Sequence, residues 1–581
     1  MTRVCRTRQS HLVCLGVVGA VWLWHGAAAA TTTLTVDLST TIRPVTHAAS
    51  GSLYGVTETL PADVNGLIAP LHPYVFNNPA ADQQQPVGDA IVVAGRVAPI
   101  GAKVSIRLAD WLKGFYTFTT MADWFDKIGQ TVTRKQQSGL TNFYGYEIWN
   151  EPQGTYAAGN PLPFNQFWMQ TYAQLRTLDP GAKLIGPSIA AYDNNYLNSF
   201  LSFCKTNSCI PDIISWHELA GENLTGDLQS YRALEKQLGI GPLPISINEY
   251  SGAADINVEG QPGASAPMIA KFERFQVDSA CISYWDVPHP GRLGSLLASN
   301  TAKNGGWWFY KWYGDMSGEM VSTTPPTPAS PTVLDGFANL DGTAEFASVL
   351  FGGTNDGTIQ IVIKGFHAAT FFGSTVHAVV EHTPFVNRTT EVDATTTLST
   401  ADVAVADDQI TVTVTGANAT DGYRVYLTPT GGANGGAGGH GGIGGSGIGG
   451  GGAGGKGAAG AGGAAGHSGA AGAAGSGERG GAGGAGSGGV TGTGGTTGAA
   501  GTTGSGGSTG AGDAATGNGG GATGSGGAAT GSGGVPGAAG ETSGCSCQTS
   551  GGAGDPGTAL CTFLLAAGWL WSKRRARSGR A

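Results

Sequence analysis

Residues 143–149 read FYGYEIW and run directly into Asn150-Glu151-Pro152. A short aromatic and apolar run stopped in this way reads as a strand. Outward from it on both sides, similar runs return at 50–57 (SGSLYGVT), 73–77 (PYVFN), 103–109 (KVSIRLA), 183–188 (KLIGPS), 212–217 (DIISWH), 244–249 (PISINE) and 281–286 (CISYWD). Between them lie amphipathic stretches at 119–137, 162–178, 194–206, 225–238 and 266–278, several with Pro or Gly near their ends. Strand and helix alternating to a count of eight strands over roughly 240 residues predicts a closed (β/α)8 barrel of the TIM type. A doubly wound open sheet is the alternative, but no GxGxxG follows an early strand to support it.

The barrel reading spans 31–319, with a Thr-rich lead at 31–45 before the first strand. Beyond Asp315 the pattern changes to Val/Thr/Phe-rich runs separated by Asp-Gly turns, at Glu345–Phe351, Thr358–Ile363, Val376–Glu381, Ile410–Val414 and Tyr423–Leu427. That spacing predicts an antiparallel β-sandwich over 320–430, packed against the barrel. Of the 101 glycines in 581 residues, 55 fall between 431 and 540. Such a Gly/Ala/Ser/Thr tract cannot bury enough apolar surface to offset its ordering entropy, so 431–543 reads as a disordered linker. The formal net charge of −9 argues against a polycationic nucleic-acid surface, and no nucleic-acid partner is expected.

Both ends carry targeting patterns. Arg3, Arg6 and Arg8 precede an apolar run from Leu12 to Trp24 and then Gly26 and Ala27–Ala30, the order of a secretory signal covering 1–30. At 544–581, Cys545 and Cys547 are followed by an apolar run from Thr558 to Trp571 and by Lys573, Arg574, Arg575 and Arg577. This order resembles the myxobacterial-type C-terminal sorting tags of surface proteins. The resemblance implies export across the inner membrane and attachment at the cell surface or membrane through the tail. A plain tail anchor and a metal-binding Cys-x-Cys are the alternatives. Cys204 and Cys209 either bridge or remain buried thiols, and no Cys/His spacing matches a zinc site, so neither metal nor cofactor is expected.

In a barrel of this type, chemistry sits at the carboxyl ends of the strands. Two ends carry a Glu preceded by Asn: Trp149-Asn150-Glu151-Pro152 closes the fourth strand and Ile247-Asn248-Glu249-Tyr250 the seventh. Cleaving a glycosidic bond requires one carboxyl to protonate the departing oxygen and another to attack or stabilise the cationic sugar.

On these two motifs the sequence resembles the clan A glycoside hydrolases, and the Trp307-Trp308 segment with the following sandwich looks most like the family 39 arrangement. The resemblance implies a retaining O-glycoside hydrolase acting on a polysaccharide or oligosaccharide, with Glu151 as general acid/base and Glu249 as nucleophile. It assigns Asn150 to the sugar 2-hydroxyl and places His217 near the nucleophile. Many clan members have a Tyr two residues after that His; here the position is Leu219, so Tyr250 is the candidate replacement. Trp285, ending the eighth strand, is a candidate aromatic floor under a sugar ring or plain barrel packing. Arg107 and Asp110 either bind hydroxyls at a neighbouring subsite or form an ion pair with no substrate role. An inactive barrel serving as a surface adhesin, and a transglycosylase using the same intermediate, are the competing readings.

Overall fold

The computed structural model describes residues 31–431, apart from 82–86, 158, 222, 253–257 and 284–289. The signal reading at 1–30, the linker and tail readings beyond 431, and Trp285 therefore lie outside the described residues.

The first strand, β1 (Thr32–Pro44), belongs to a second sheet, and the next eight close the barrel. These are β2 (Gly51–Leu53), β3 (Val75–Pro79), β4 (Lys103–Arg107), β5 (Phe143–Glu147), β6 (Leu184–Ile189), β7 (Ile213–Glu218), β8 (Ile245–Tyr250) and β9 (Ser279–Ile282). Every neighbouring pair is parallel, and β9 returns to β2 through Gly51–Cys281 and Ser52–Ile282. Strands β6, β7 and β8 are buried at all their residues, which explains why a parallel barrel announces itself as continuous apolar runs rather than alternation.

The helices are α1 (Ala90–Val97), α2 (Met121–Ser138), α3 (Pro152–Thr155), α4 (Phe164–Leu178), α5 (Asn194–Thr206), α6 (Leu224–Leu238), α7 (Pro262–Arg274) and α8 (Gly305–Gly314). Their ends have identifiable caps. Thr120 accepts from Asp123 N at the start of α2, and Gly139 ends it in the left-handed region at φ 67°. Helix α7 begins four residues before the expected 266, because Pro262 occupies the first turn, where a missing N–H costs nothing.

The second domain is a nine-stranded, mostly antiparallel sheet that wraps its own apolar core. Its later strands are β10 (Glu319–Thr324), β11 (Asp335–Asp341), β12 (Phe346–Gly352), β13 (Thr358–Lys364), β14 (Thr375–Thr383), β15 (Thr396–Ala404), β16 (Gln409–Thr415) and β17 (Gly422–Pro429). Here the domain boundary read from sequence is corrected. The Thr-rich lead is not part of the barrel: β1 lies between β10, which it meets antiparallel, and β13, which it meets parallel. Leu34, Val36 and Leu38, alternating with polar residues, enter the sheet core, which the barrel could not have offered them.

Helices α7 and α8 join barrel to sheet. Lys271 and Arg274 of α7 reach Asp335 of β11 at 3.2 and 2.7 Å. Trp307 of α8 donates to Leu67 O on the barrel side, while Trp308 donates to Val392 O and Arg424 of β17 lies 5.1 Å from the Trp312 ring centroid. These tryptophans seal the junction. Cys204 and Cys209 are buried thiols, with no bridge between them.

Candidate active site

Two residues past the fourth barrel strand, β5, lies a fully buried Trp149, whose ring packs edge-on against Tyr116, Trp124, Tyr156 and Phe167 with centroids 5.2–5.8 Å away. With Trp149 anchored outward among aromatic rings, the following Asn150 and Glu151 are delivered to the barrel mouth. Glu151 takes the left-handed conformation, φ 51° and ψ 53°, and Pro152 then starts the one-turn helix α3. A non-glycine residue held there stores on the order of 1–3 kcal/mol of strain, offset by its surroundings. Thr155 contributes by accepting from Trp149 Nε1 and donating to Asn150 O.

The seventh barrel strand, β8, presents Glu249 through a bulge. Ser215 of β7 aligns with Ser246 of β8, but the next aligned pair is His217 and Glu249, so β8 has one extra residue in that interval. The extra residue turns Glu249, rather than Asn248, toward His217. His217 Nδ1 is 3.1 Å from Glu151 Oε1 and 3.6 Å from Glu249 Oε2. One oxygen from each carboxyl and a His217 ring nitrogen all lie within 4.8 Å of one another. By donor type this trio could hold a cation, but Arg107 already occupies Glu249 Oε1 at 2.7 Å and opposes a second positive charge there.

Arg107 is buried at the end of β4. Its Nη1 donates to Glu249 Oε1 and lies 3.2 Å from Tyr54 Oη, and its Nε is 3.0 Å from Glu147 Oε1. Burial works against its charge, but Glu147, Tyr54 and Glu249 hold the guanidinium well above its ordinary pKa, so it is a permanent cation. Asp110 does not pair with it. Its oxygens accept from Tyr54 and Tyr116, and burial carries its carboxyl up to about 6 in spite of Arg107's charge.

The three central groups titrate together. Burial pushes the Glu249 carboxyl up against the pull of His217 and Arg107, whereas Glu151, also raised by burial, is held below its usual range by the His217 hydrogen bond. Burial would lower His217, but the Glu249 charge and the Glu151 bond raise it. Those directions alone would leave the proton on Glu249, yet Glu249 faces a cation that cannot titrate and Glu151 faces one that can. When His217 is neutral, Glu151 has lost its charged partner and Glu249 has kept Arg107. A proton shared along the Nδ1···Oε1 contact thus makes Glu151 a carboxylic acid in one position and a carboxylate in the other.

Several groups in this pocket are buried without a hydrogen-bond partner: Glu249 Oε2, Asn150 Oδ1 and His217 Nε2. Such orphaned atoms normally carry a cost of about 1–3 kcal/mol each, which a polar partner in hydrogen-bond reach would relieve.

Of the residues singled out from sequence, Glu151, Glu249, Asn150, His217 and Arg107 are brought together. Tyr250 is not. Its hydroxyl bonds Ala49 O and Tyr310, and its ring packs on Phe272 of α7, because the residue after an inward-facing Glu249 points to the helix layer. Arg107, not a tyrosine, supports Glu249. Arg107 thus pairs with a carboxylate through Nη1, with its Nη2 left without a partner, and Asp110 accepts from two tyrosines. Glu218 shares Tyr250's outward side, bonded to Trp216 Nε1 at 2.6 Å, and burial lifts its carboxyl to about 8. Missed from sequence were Glu147, Asn77 and Tyr54. The available signal was Glu147 itself, a charge inside a strand otherwise read as core.

A closed parallel barrel with carboxyls at the ends of its fourth and seventh strands is the arrangement of the clan A glycoside hydrolases, and the chain's curated relatives are glycosidases. It is 27% identical over 474 residues to a 3-O-beta-L-arabinopyranosyl-alpha-L-arabinofuranosidase of Bifidobacterium pseudocatenulatum, covering 68% of this chain and 47% of that protein. It is likewise 27% identical over 470 residues to a 3-O-alpha-D-galactosyl-alpha-L-arabinofuranosidase of Bifidobacterium longum subsp. longum, covering 68% and 40%. The chain thus spans less than half the length of these two relatives. No family model matches it. Among solved structures, N2152 from Neocallimastix frontalis is 47% identical with a TM-score of 0.68, over 69% of this chain and 100% of that one. The chain belongs to the same family as N2152.

Proposed function

We propose that this protein is a retaining glycoside hydrolase that cleaves an O-glycosidic bond of a polysaccharide or oligosaccharide by double displacement, and that the sugar attacked is an L-arabinofuranosyl residue. The observation that carries the mechanism is the closeness of Glu151 and Glu249, with an oxygen of each within 4.8 Å. Retaining enzymes hold their carboxyls about 5–5.5 Å apart, whereas inverting enzymes leave about 6.5–9.5 Å for a water. The names of the two curated relatives support the choice of sugar.

The steps proposed follow the free and the bonded oxygens of the two carboxyls. Glu249 Oε1 is held by Arg107, so Oε2, buried and without a hydrogen bond, is the oxygen that attacks the anomeric carbon. As the C–O bond to the leaving group breaks, Glu151 gives its proton to the departing oxygen and Glu249 becomes a glycosyl ester. Glu151, now a carboxylate, takes a proton from water, which attacks the same carbon and releases Glu249. Asn150, next to Glu151 in the chain, would donate to the 2-hydroxyl, a reading its unpaired Oδ1 supports by leaving the amide open to a polar ligand.

The test is sugar release by the full chain from arabinan, arabinoxylan, arabinogalactan and aryl glycosides, compared with Glu249→Gln and Glu151→Ala. Loss of roughly 10³-fold or more in Glu249→Gln is expected, with Glu151→Ala keeping activity on aryl substrates whose leaving group needs no proton. Full activity in Glu249→Gln would overturn the assignment. Release of xylose or glucose in place of arabinose would overturn the sugar.

A further inference from the structure

Glu147 lies four residues before Glu151 on β5, and the double displacement does not use it. Its side chain is fully buried. Oε1 meets Arg107 Nε at 3.0 Å, and Oε2 accepts from Asn77 Nδ2 of β3. Arg107 therefore stands between two carboxylates, Glu147 at its Nε and Glu249 at its Nη1.

These two anions behave differently during the reaction. In the first step the bond from C1 to the leaving oxygen breaks, the bond from C1 to Glu249 Oε2 forms, and the proton passes from Glu151 to the departing oxygen. Glu249 is then an ester and carries no charge. An Arg107 paired with Glu249 alone would at that moment be an uncompensated cation in a buried site, a strongly unfavourable arrangement. Glu147 is not consumed and keeps its charge in both states. The other groups around Arg107 do not replace it. Asp110, from the turn after β4, is occupied by Tyr54 and Tyr116, and Glu151 and His217 stand beyond Glu249.

We propose that Glu147 is a positioning residue of this reaction: a fixed counter-charge that holds Arg107 against Glu249 Oε1 and keeps it neutralised while Glu249 passes through the ester. The inference rests on the glycosidase reading above. It extends that reading by dividing the work of Arg107 between a permanent partner and a transient one.

Two variants separate charge from shape. Glu147→Gln keeps the shape and removes the charge, which leaves Arg107 wholly to Glu249. Glu249 is then ionised more easily, and the acidic limb of kcat/KM is expected to move to lower pH by about one unit. In the same variant kcat is expected to fall by at least about tenfold with KM little changed, because the penalty falls on the charge-neutral intermediate. Glu147→Asp keeps the charge one methylene further back, so its acidic limb should shift in the same direction but by less than in Glu147→Gln. A merely structural role would lower the melting temperature and leave the limb in place in both variants, and that result overturns the proposal. If Glu147→Gln does not fold, Glu147→Asp decides alone: a limb at the parent's position overturns the inference.

If the parent releases no sugar from any substrate, the proposed function has failed rather than this inference. A carboxyl ¹³C titration of Glu249 in parent and variants then reads the same coupling without turnover. An unchanged titration overturns it.

Discussion

His217 stands between the two carboxyls, nearer to Glu151 than the sequence suggested, and in the proposed mechanism this would make it part of the proton donor. The proton shared by His217 and Glu151 must be present for the leaving group to depart, so its loss sets the basic limb of the pH profile. That limb lies above the ordinary imidazole value of about 6.5, because the Glu249 charge and the Glu151 bond raise His217 in spite of burial. The acidic limb reports protonation of Glu249, which burial raises above the usual carboxylate range. Activity should therefore be lost on acidification while ordinary carboxyls are still ionised. Replacing His217 by Gln leaves Glu151 to hold the proton alone, and a carboxylic acid gives it up at lower pH than an imidazolium. His217→Gln should thus draw the basic limb down by about a unit and cost roughly ten- to a hundredfold in kcat/KM. An unmoved basic limb, measured on an aryl glycoside, would remove His217 from the donor.

Among the elements, α7 carries the contact between barrel and sheet, and it is buried along nearly its whole length. A helix covered on all sides must satisfy its own charges, and α7 does so with ion pairs. Lys271, almost completely buried, has Asp335 as its anion, and Arg43 reaches Glu273 at 2.7 Å. The backbone also comes close: a Cβ on Gly263 would sit 1.9 Å from the Ala419 carbonyl oxygen, so no larger residue fits unless the loop moves. Asp335→Asn leaves a buried ammonium without its partner and is expected to cost about 3–5 kcal/mol. Barrel and sheet share this joint, so both should lose stability together, read as one lowered transition in calorimetry. Two separate transitions, with only the sheet affected, would show that α7 does not couple them.

At the scale of the molecule, the barrel and its two glutamates were legible because each left a local mark. Strands buried on both faces make continuous apolar runs, and Trp149-Asn150-Glu151-Pro152 and Asn248-Glu249-Tyr250 mark strand ends by themselves. What was not legible depended on partners far away in sequence. The support of Glu249 expected of Tyr250 falls to Arg107 because of a bulge between β7 and β8 and the direction of Arg107 across the barrel, neither of which has a sequence signature. The misplacement of β1 is of the same kind: its Leu-Thr-Val-Asp-Leu alternation reads as a strand, but its partners lie far downstream, β10 at Glu319–Thr324 and β13 at Thr358–Lys364. The consequence is testable. With β1 removed, β10 and β13 each lose a neighbour, and the β13–β16 pair is no longer joined to the rest of the sheet. Leu34, Val36 and Leu38 are each at most 1% exposed, and burying each such side chain contributes about 1.5–3 kcal/mol. The loss is comparable to the whole stability of a typical domain, about 5–15 kcal/mol. A chain begun at Val45, just before the first barrel strand, should therefore fail to fold or aggregate through its exposed edges, whereas one begun at Thr31 should fold and keep activity. Soluble, active protein from the shorter chain, with an unchanged melting temperature, would show that barrel and sheet stand without β1. The N-terminal segment would then be an appendage of the sheet and not its keystone.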